Sequence, residues 1–185
     1  MNPSRIVSAR LACLCIVAFA GAAAAASVEP ELDVREVRQE YYVSAANEAE
    51  LRERLRIGRG NWTHARGLTQ GRLTITRNVT QTRGRCIVNA VAIELEITTT
   101  LPEWDPAVEM PPELRERWET FRALIGAHED RHRENLMEAA FAMRDQVAAM
   151  APQDLCMKVE AQLKRIVDRG EMKRRFADHL LDRRL

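Results

Sequence analysis

The chain has 185 residues, with 28 Lys+Arg against 27 Asp+Glu and a formal net charge of +1. A near-neutral balance excludes the broad basic footprint of a nucleic-acid binder. The length suits one domain with a real core and is short for two.

Residues 1–26 read as a secretory signal peptide. Arg5 and Arg10 form a basic start, Leu11 to Ala20 an apolar core, and Ala24-Ala25-Ala26 a small-residue cleavage site before Ser27. The apolar run is alanine-rich and shorter than the roughly 18 to 20 residues a membrane span needs, so no stable membrane anchor is expected after cleavage. Loss of Arg5 and Arg10 takes 28 basic residues to 26, against 27 acidic, and the net charge to −1. The expected product is a single domain over residues 27–185, secreted or periplasmic. Its basic C-terminal cluster (Lys173, Arg174, Arg175, Arg183, Arg184) is interspersed with acids and reads as the solvated face of a helix.

In chain order, Val34 to Val43 is rich in β-branched and aromatic residues and predicts a strand. Asn47 with Glu50 three residues on predicts the capped start of a short helix, stopped by Gly58. Trp62 to Thr82 reads as strand, turn, strand, punctuated by Gly67 and Gly71, with Leu73, Ile75 and Val79 on one side of the pleat. Asn61 and Asn78 open sequons that would matter only in a eukaryotic secretory pathway. Cys86 to Thr100 is the clearest strand. Ile87, Val91, Ile93, Leu95 and Ile97 alternate with Glu94 and Glu96, the pattern of an antiparallel sheet covered on one face. Leu101-Pro102 and Pro106 are expected to end it.

Pro111-Pro112 then lead into a long helix reaching Met150. Its apolar seam runs through Leu114, Trp118, Phe121, Ile125, Leu136, Ala139, Met143, Val147 and Met150, with His128 and His132 in series. A second helix starts near Pro152, carries Leu155, Cys156, Val159, Leu163 and Ile166, and meets a possible break at Gly170. The short connection predicts an antiparallel helix pair. The fold class expected is α+β: a small antiparallel sheet with a short helix, followed by a long two-helix hairpin.

Within the first long helix stands His128-Glu129-Asp130-Arg131-His132. Histidines at i and i+4 lie one above the other and can share one metal ion, and a glutamate beside the first is the general base of the H-E-x-x-H pattern. Two imidazoles in an apolar seam need partners. A shared Zn2+ would satisfy one nitrogen of each, with Asp130 or Glu134 orienting the others. Zinc lowers the pKa of its water to about 7, which suits hydrolysis with Glu129 as base. For the third ligand, an antiparallel partner turning at Ala151-Pro152 places Glu171 opposite His132. If Gly170 breaks the helix, Met172, Phe176 and His179 make a new seam and His179 turns inward, with Asp178 beside it. His179 is the expected third ligand and Glu171 the alternative. Cys86 and Cys156, the two cysteines after residue 26, have no C-x-x-C partner. In an oxidising compartment they predict a disulfide over about 70 residues, worth roughly 3 to 4 kcal/mol.

Tyr41-Tyr42-Val43, Glu50-Leu51-Arg52, Cys86-Ile87-Val88, Leu101-Pro102-Glu103-Trp104, His128-Glu129 with His132, and Cys156 together resemble a bacterial family known as domain of unknown function 922, described as predicted secreted zinc-dependent proteases. The resemblance covers most of residues 27–185. It implies an exported zinc metallopeptidase acting on a peptide or protein substrate. The family's aromatic-Asp segment followed by histidine has a counterpart of altered spacing in Phe176-Ala177-Asp178-His179. A domain that keeps the fold without catalysis, as a periplasmic binding or envelope-assembly module, is the other reading.

Overall fold

The computed structural model describes residues 29–57, 67–83, 85–150 and 155–183. The expected signal peptide, the Gly58 stop, the first strand from Trp62 and the turn at Ala151-Pro152 lie outside the described residues. The described elements are β1 (Glu31–Val43), α1 (Glu48–Ile57), β2 (Leu68–Thr82), β3 (Arg85–Trp104), α2 (Pro112–Ala148) and α3 (Cys156–Asp182).

The protein is α+β, with a three-stranded sheet in the order β1-β3-β2. The sheet is mixed, not antiparallel as expected: β2 pairs antiparallel with β3, but β1 runs parallel to it. The helix and long strand between β1 and β3 form a crossover, and a crossover permits parallel pairing. Local alternation carries no record of strand direction.

Strand β3 is central and long. Val91, Ile93, Leu95 and Ile97 are buried on the face towards the helices, while Glu94 and Glu96 are exposed on the other. The expected inward position of Ile87 is corrected: it is 51% exposed. Asn78 pairs with Ala90 but Val79 pairs with Val88, so Asn89 is the extra residue of a β-bulge. The bulge inverts the pleat, turning Cys86 and Val88 inward and Ile87 outward. Asn89 Nδ2 donates to Asn78 Oδ1 (3.1 Å) and Thr80 Oγ1 (2.8 Å) across it. Nor does Leu101-Pro102 end the strand, which continues beside β1 to Trp104. Pairing with β2 stops at Thr100, so the missing N–H of Pro102 breaks no bond on that side.

Helix α1 starts as predicted. Asn47 Oδ1 accepts from the Glu50 N–H (3.0 Å), and Glu50 Oε2 accepts from the Ala46 N–H (2.9 Å). It packs with Val43 and Trp104 against Leu114 and Trp118 at the start of α2. Trp104 meets Trp118 edge-on, ring centroids 5.6 Å apart, and its indole N–H donates to the Val108 carbonyl (2.8 Å).

Helices α2 and α3 form the antiparallel pair expected. They cover the sheet with Leu136, Ala140, Met143 and Val147 from one and Val159, Leu163 and Ile166 from the other. Gly71 does not mark a turn; it sits inside β2. A Cβ there would lie 2.3 Å from Leu136 Cδ2, and one on Gly67 would lie 2.7 Å from Glu129 Oε1. The two glycines let α2 lie against β2 at Glu129 and Leu136, two helical turns apart. Gly170 does not break α3 either. It is buried, and a Cβ on it would lie 2.1 Å from Met143 Cε. Its role is close helix contact. Cys86 and Cys156 are joined in a disulfide, as predicted, with Cα atoms 4.9 Å apart.

Candidate functional site

The site forms where α2 faces two neighbours at once, β2 on one side and the C-terminal half of α3 on the other. The seam residue towards the sheet is Glu129, only 3% exposed, in place of the expected histidines. His128 and His132 face α3, with side chains 9% and 13% exposed. The correction follows from the geometry: one apolar stripe cannot serve both a sheet and a partner helix, and Glu129 falls on the sheet side.

His128 and His132 present their Nε2 atoms to one another at 3.0 Å. Asp182 Oδ1 lies 3.0 Å from Nε2 of His132 and 3.4 Å from Nε2 of His128. These three donors form a group within metal-binding distance. Two imidazole nitrogens this close cannot both be bare lone pairs; a proton or a cation must lie between them.

Behind His132 stands a second carboxylate. Asp178 Oδ1 accepts from His132 Nδ1 (3.0 Å) and from Asn135 Nδ2 (2.9 Å), while Arg174 donates to Asp178 Oδ2 (2.7 Å). Arg174 also holds Glu171 at 2.9 Å. Asp178 and Asp182 are four apart on α3, so both face α2. The hydrogen bond to Asp178 raises the pKa of His132 above its usual value, against burial. Burial pushes Asp178 up, but hydrogen bonds from His132 and Asn135 and the nearby positive charges bring it below the ordinary range.

Glu129 lies on the other side. Its main-chain carbonyl accepts from Thr69 Oγ1 (3.2 Å), and its Oε2 is buried without a hydrogen-bond partner. Burial raises its pKa; hydrogen bonding from Thr69 and the charges of His132 and His128 offset this in part. A buried carboxylate oxygen without a partner is costly.

The structure brings His128 and His132 together as their spacing suggests, while Glu129, next to His128 in the chain, faces Gly67 and Thr69. The structure does not bring His179 or Glu171 into the donor group. His179 is exposed on α3, and Glu171 is taken by Arg174. Asp130 is exposed and Glu134 pairs with Arg131 (2.6 Å), so the carboxylate that orients His132 is Asp178. Asp182, Asn135 and Thr69 escaped the sequence reading. Gly67, just before β2, reads in sequence only as turn punctuation, and Arg174, which reads as part of a solvated helix face, is mostly covered and paired with Glu171 and Asp178. The i, i+4 spacing of Asp178 and Asp182 was the available signal for the acidic pair.

Fold and site thus define an α+β domain whose helix hairpin carries two histidines and a carboxylate within reach of one cation. The chain belongs to the family described as bacterial protein of unknown function (DUF922), whose profile matches residues 38–184. No curated protein and no solved structure gives a significant match.

Proposed function

We infer that the protein is an exported zinc-dependent peptidase, with His128, His132 and Asp182 as metal ligands and Glu129 as general base. The spacing of the three donors carries this reading. Ligand atoms about 2.0 to 2.1 Å from a tetrahedral zinc lie about 3.3 Å apart, and here the separations are 3.0, 3.0 and 3.4 Å. Three protein ligands leave a fourth position open, the arrangement of catalytic zinc sites.

Bound there, zinc would supply a Lewis acid for water and a substrate carbonyl. The chain's own residues do the rest. Asp178, held by Asn135 and Arg174, keeps His132 in the tautomer with its proton on Nδ1 and its lone pair on Nε2. Glu129 Oε2, unpartnered and raised in pKa, accepts the proton of the attacking water and returns it to the leaving amine. Gly67 leaves room for that carboxylate beside the sheet.

A second reading draws on the same atoms. Protonated His132 would bridge Asp178 and Asp182, clamping the hairpin in a non-catalytic envelope module. That reading leaves the buried Oε2 of Glu129 without a purpose, which favours the first.

Metal analysis of purified residues 27–185 separates them. About one zinc per chain is expected in wild type and in Glu129→Gln, with hydrolysis of a peptide library lost in the variant. Asp178→Asn should weaken zinc about 10- to 100-fold. No zinc in either protein would sink the metal site. Bound zinc with cleavage unchanged by Glu129→Gln would end the peptidase reading and leave the module.

A further inference from the structure

The C-terminal half of α3 is amphipathic in the wrong direction for a helix held only by its own hairpin. Its buried residues are Val159, Leu163, Ile166 and Gly170, and beyond Gly170 no described residue of it is buried. Its large apolar side chains there point away from the hairpin: Met172 is 66% exposed, Phe176 64% and Leu180 42%. Steps of four set them in one stripe. At about 100° per residue, Arg169, Lys173 and, at the C-cap, Arg183 fall in the same arc of roughly 100°. All three are exposed, none has an ion-pair partner among the described residues, and no acid of α3 lies in that arc. The acids Glu171, Asp178 and Asp182 lie on the side that faces α2 or carries the donor group.

We propose that this face of α3 docks the protein reversibly onto an anionic phospholipid surface, with Met172, Phe176 and Leu180 entering the interface and Arg169, Lys173 and Arg183 meeting lipid phosphates. Exposed apolar residues at helical spacing, rimmed by Lys and Arg, are what an interfacial helix requires. Charge selects this occupant over a second copy of the chain, because two-fold pairing would set the three cations of one copy against those of the other. No helix among the described residues is long and apolar enough to cross a membrane, so the association is peripheral. The proposal does not depend on the metal site.

The test is sedimentation of residues 27–185, which contain every described element, with vesicles of phosphatidylcholine alone or mixed with phosphatidylglycerol. The expected result is binding to the mixed vesicles only, lost at high salt. Each cation is worth about fivefold at such a surface, so Arg169→Gln, Lys173→Gln and Arg183→Gln together should weaken binding about 100-fold. Phe176→Ser with Leu180→Ser should also weaken it, at least tenfold. Both variants alter exposed side chains and should keep the wild-type melting temperature; a set that does not is replaced by its single substitutions, each expected to weaken binding severalfold. Absence of binding, or equal binding to both vesicles, overturns the proposal. So does loss with the charge variant but not with Phe176→Ser and Leu180→Ser, which would mark a site for an acidic protein.

Discussion

At the scale of single residues, Glu129 and His132 oppose each other in a way that predicts the pH behaviour of the metal-free protein. The pKa of Glu129 is raised by burial, so its ionisation costs folding energy, and stability falls as pH rises from about 4.5 through its folded value. The pKa of His132 is raised by Asp178, so the stability their pair contributes is complete below about 6.5 and is lost as pH rises through the folded value. Asp178 is lowered, and its contribution is lost only as pH falls below about 3.8 towards its folded value. These three groups therefore make the metal-free protein most stable on the acid side of neutrality. Zinc binding at the proposed site would run the other way, tightening as pH rises, because imidazole ligands bind it only when deprotonated. Melting curves from pH 4.5 to 8.5, with chelator and with zinc, should slope in opposite directions. Glu129→Gln removes a buried charge at constant shape. It should raise the metal-free melting temperature at pH 8 by about 2 to 4 °C, from roughly 1 kcal/mol. A lowered melting temperature would show that the charge is better compensated than its surroundings suggest.

At the scale of elements, the glycines separate what local sequence can say from what packing decides. Gly126 in α2 has no atom within 4 Å of where a Cβ would sit, whereas Gly170 in α3 would place one 2.1 Å from the buried Met143. Gly126→Ala should therefore stabilise by about 0.8 to 1 kcal/mol, the helix-propensity difference alone. Gly170→Leu should destabilise by about 1 to 3 kcal/mol despite a similar propensity gain, because a leucine there must displace the fully buried Met143 along much of its side chain. Denaturant melts of the two variants check the contrast, and like signs would refute it. The same distinction explains how far the site was legible. His128 and His132 share a helix, so their spacing was enough to bring them together. The carboxylate from α3 depends on register across the hairpin, which no local spacing records. The residue opposite His132 is Asp178, seven positions beyond the Glu171 that a turn at Ala151-Pro152 leads one to expect, about two turns of helix. The break that Gly170 suggests, which favours His179, is a helix contact instead. Ile87 failed for a related reason: the bulge at Asn89 is set by pairing with β2 and leaves no mark on the alternation of β3.

At the scale of the whole molecule, α3 is fastened by different means along its length. Cys156 ties its first turn to β3, and Val159, Leu163, Ile166 and Gly170 bury its first half against the sheet and α2. From Glu171 to Asp182 the contacts with α2 are polar, through Asp178 and Asp182 to His132, His128 and Asn135. In the metal-bound state the ion would be the second fastening, at the opposite end of α3 from the disulfide. Replacing both Cys86 and Cys156 by Ala opens a loop of 70 residues and should cost about 4 kcal/mol, roughly 10 °C in melting temperature. Zinc affinity should be nearly unchanged while the variant remains folded, since the donors lie more than five turns of helix from the bridge, roughly 30 Å or more. Amide exchange resolves the two fastenings separately. Zinc should slow exchange over residues 171–182 and leave 156–166 alone, whereas loss of the disulfide should speed exchange at the 156 end and leave the zinc effect intact. If zinc instead protected the whole of α3 evenly, the helix would be one cooperative unit, and the division of labour between bridge and ion would be wrong.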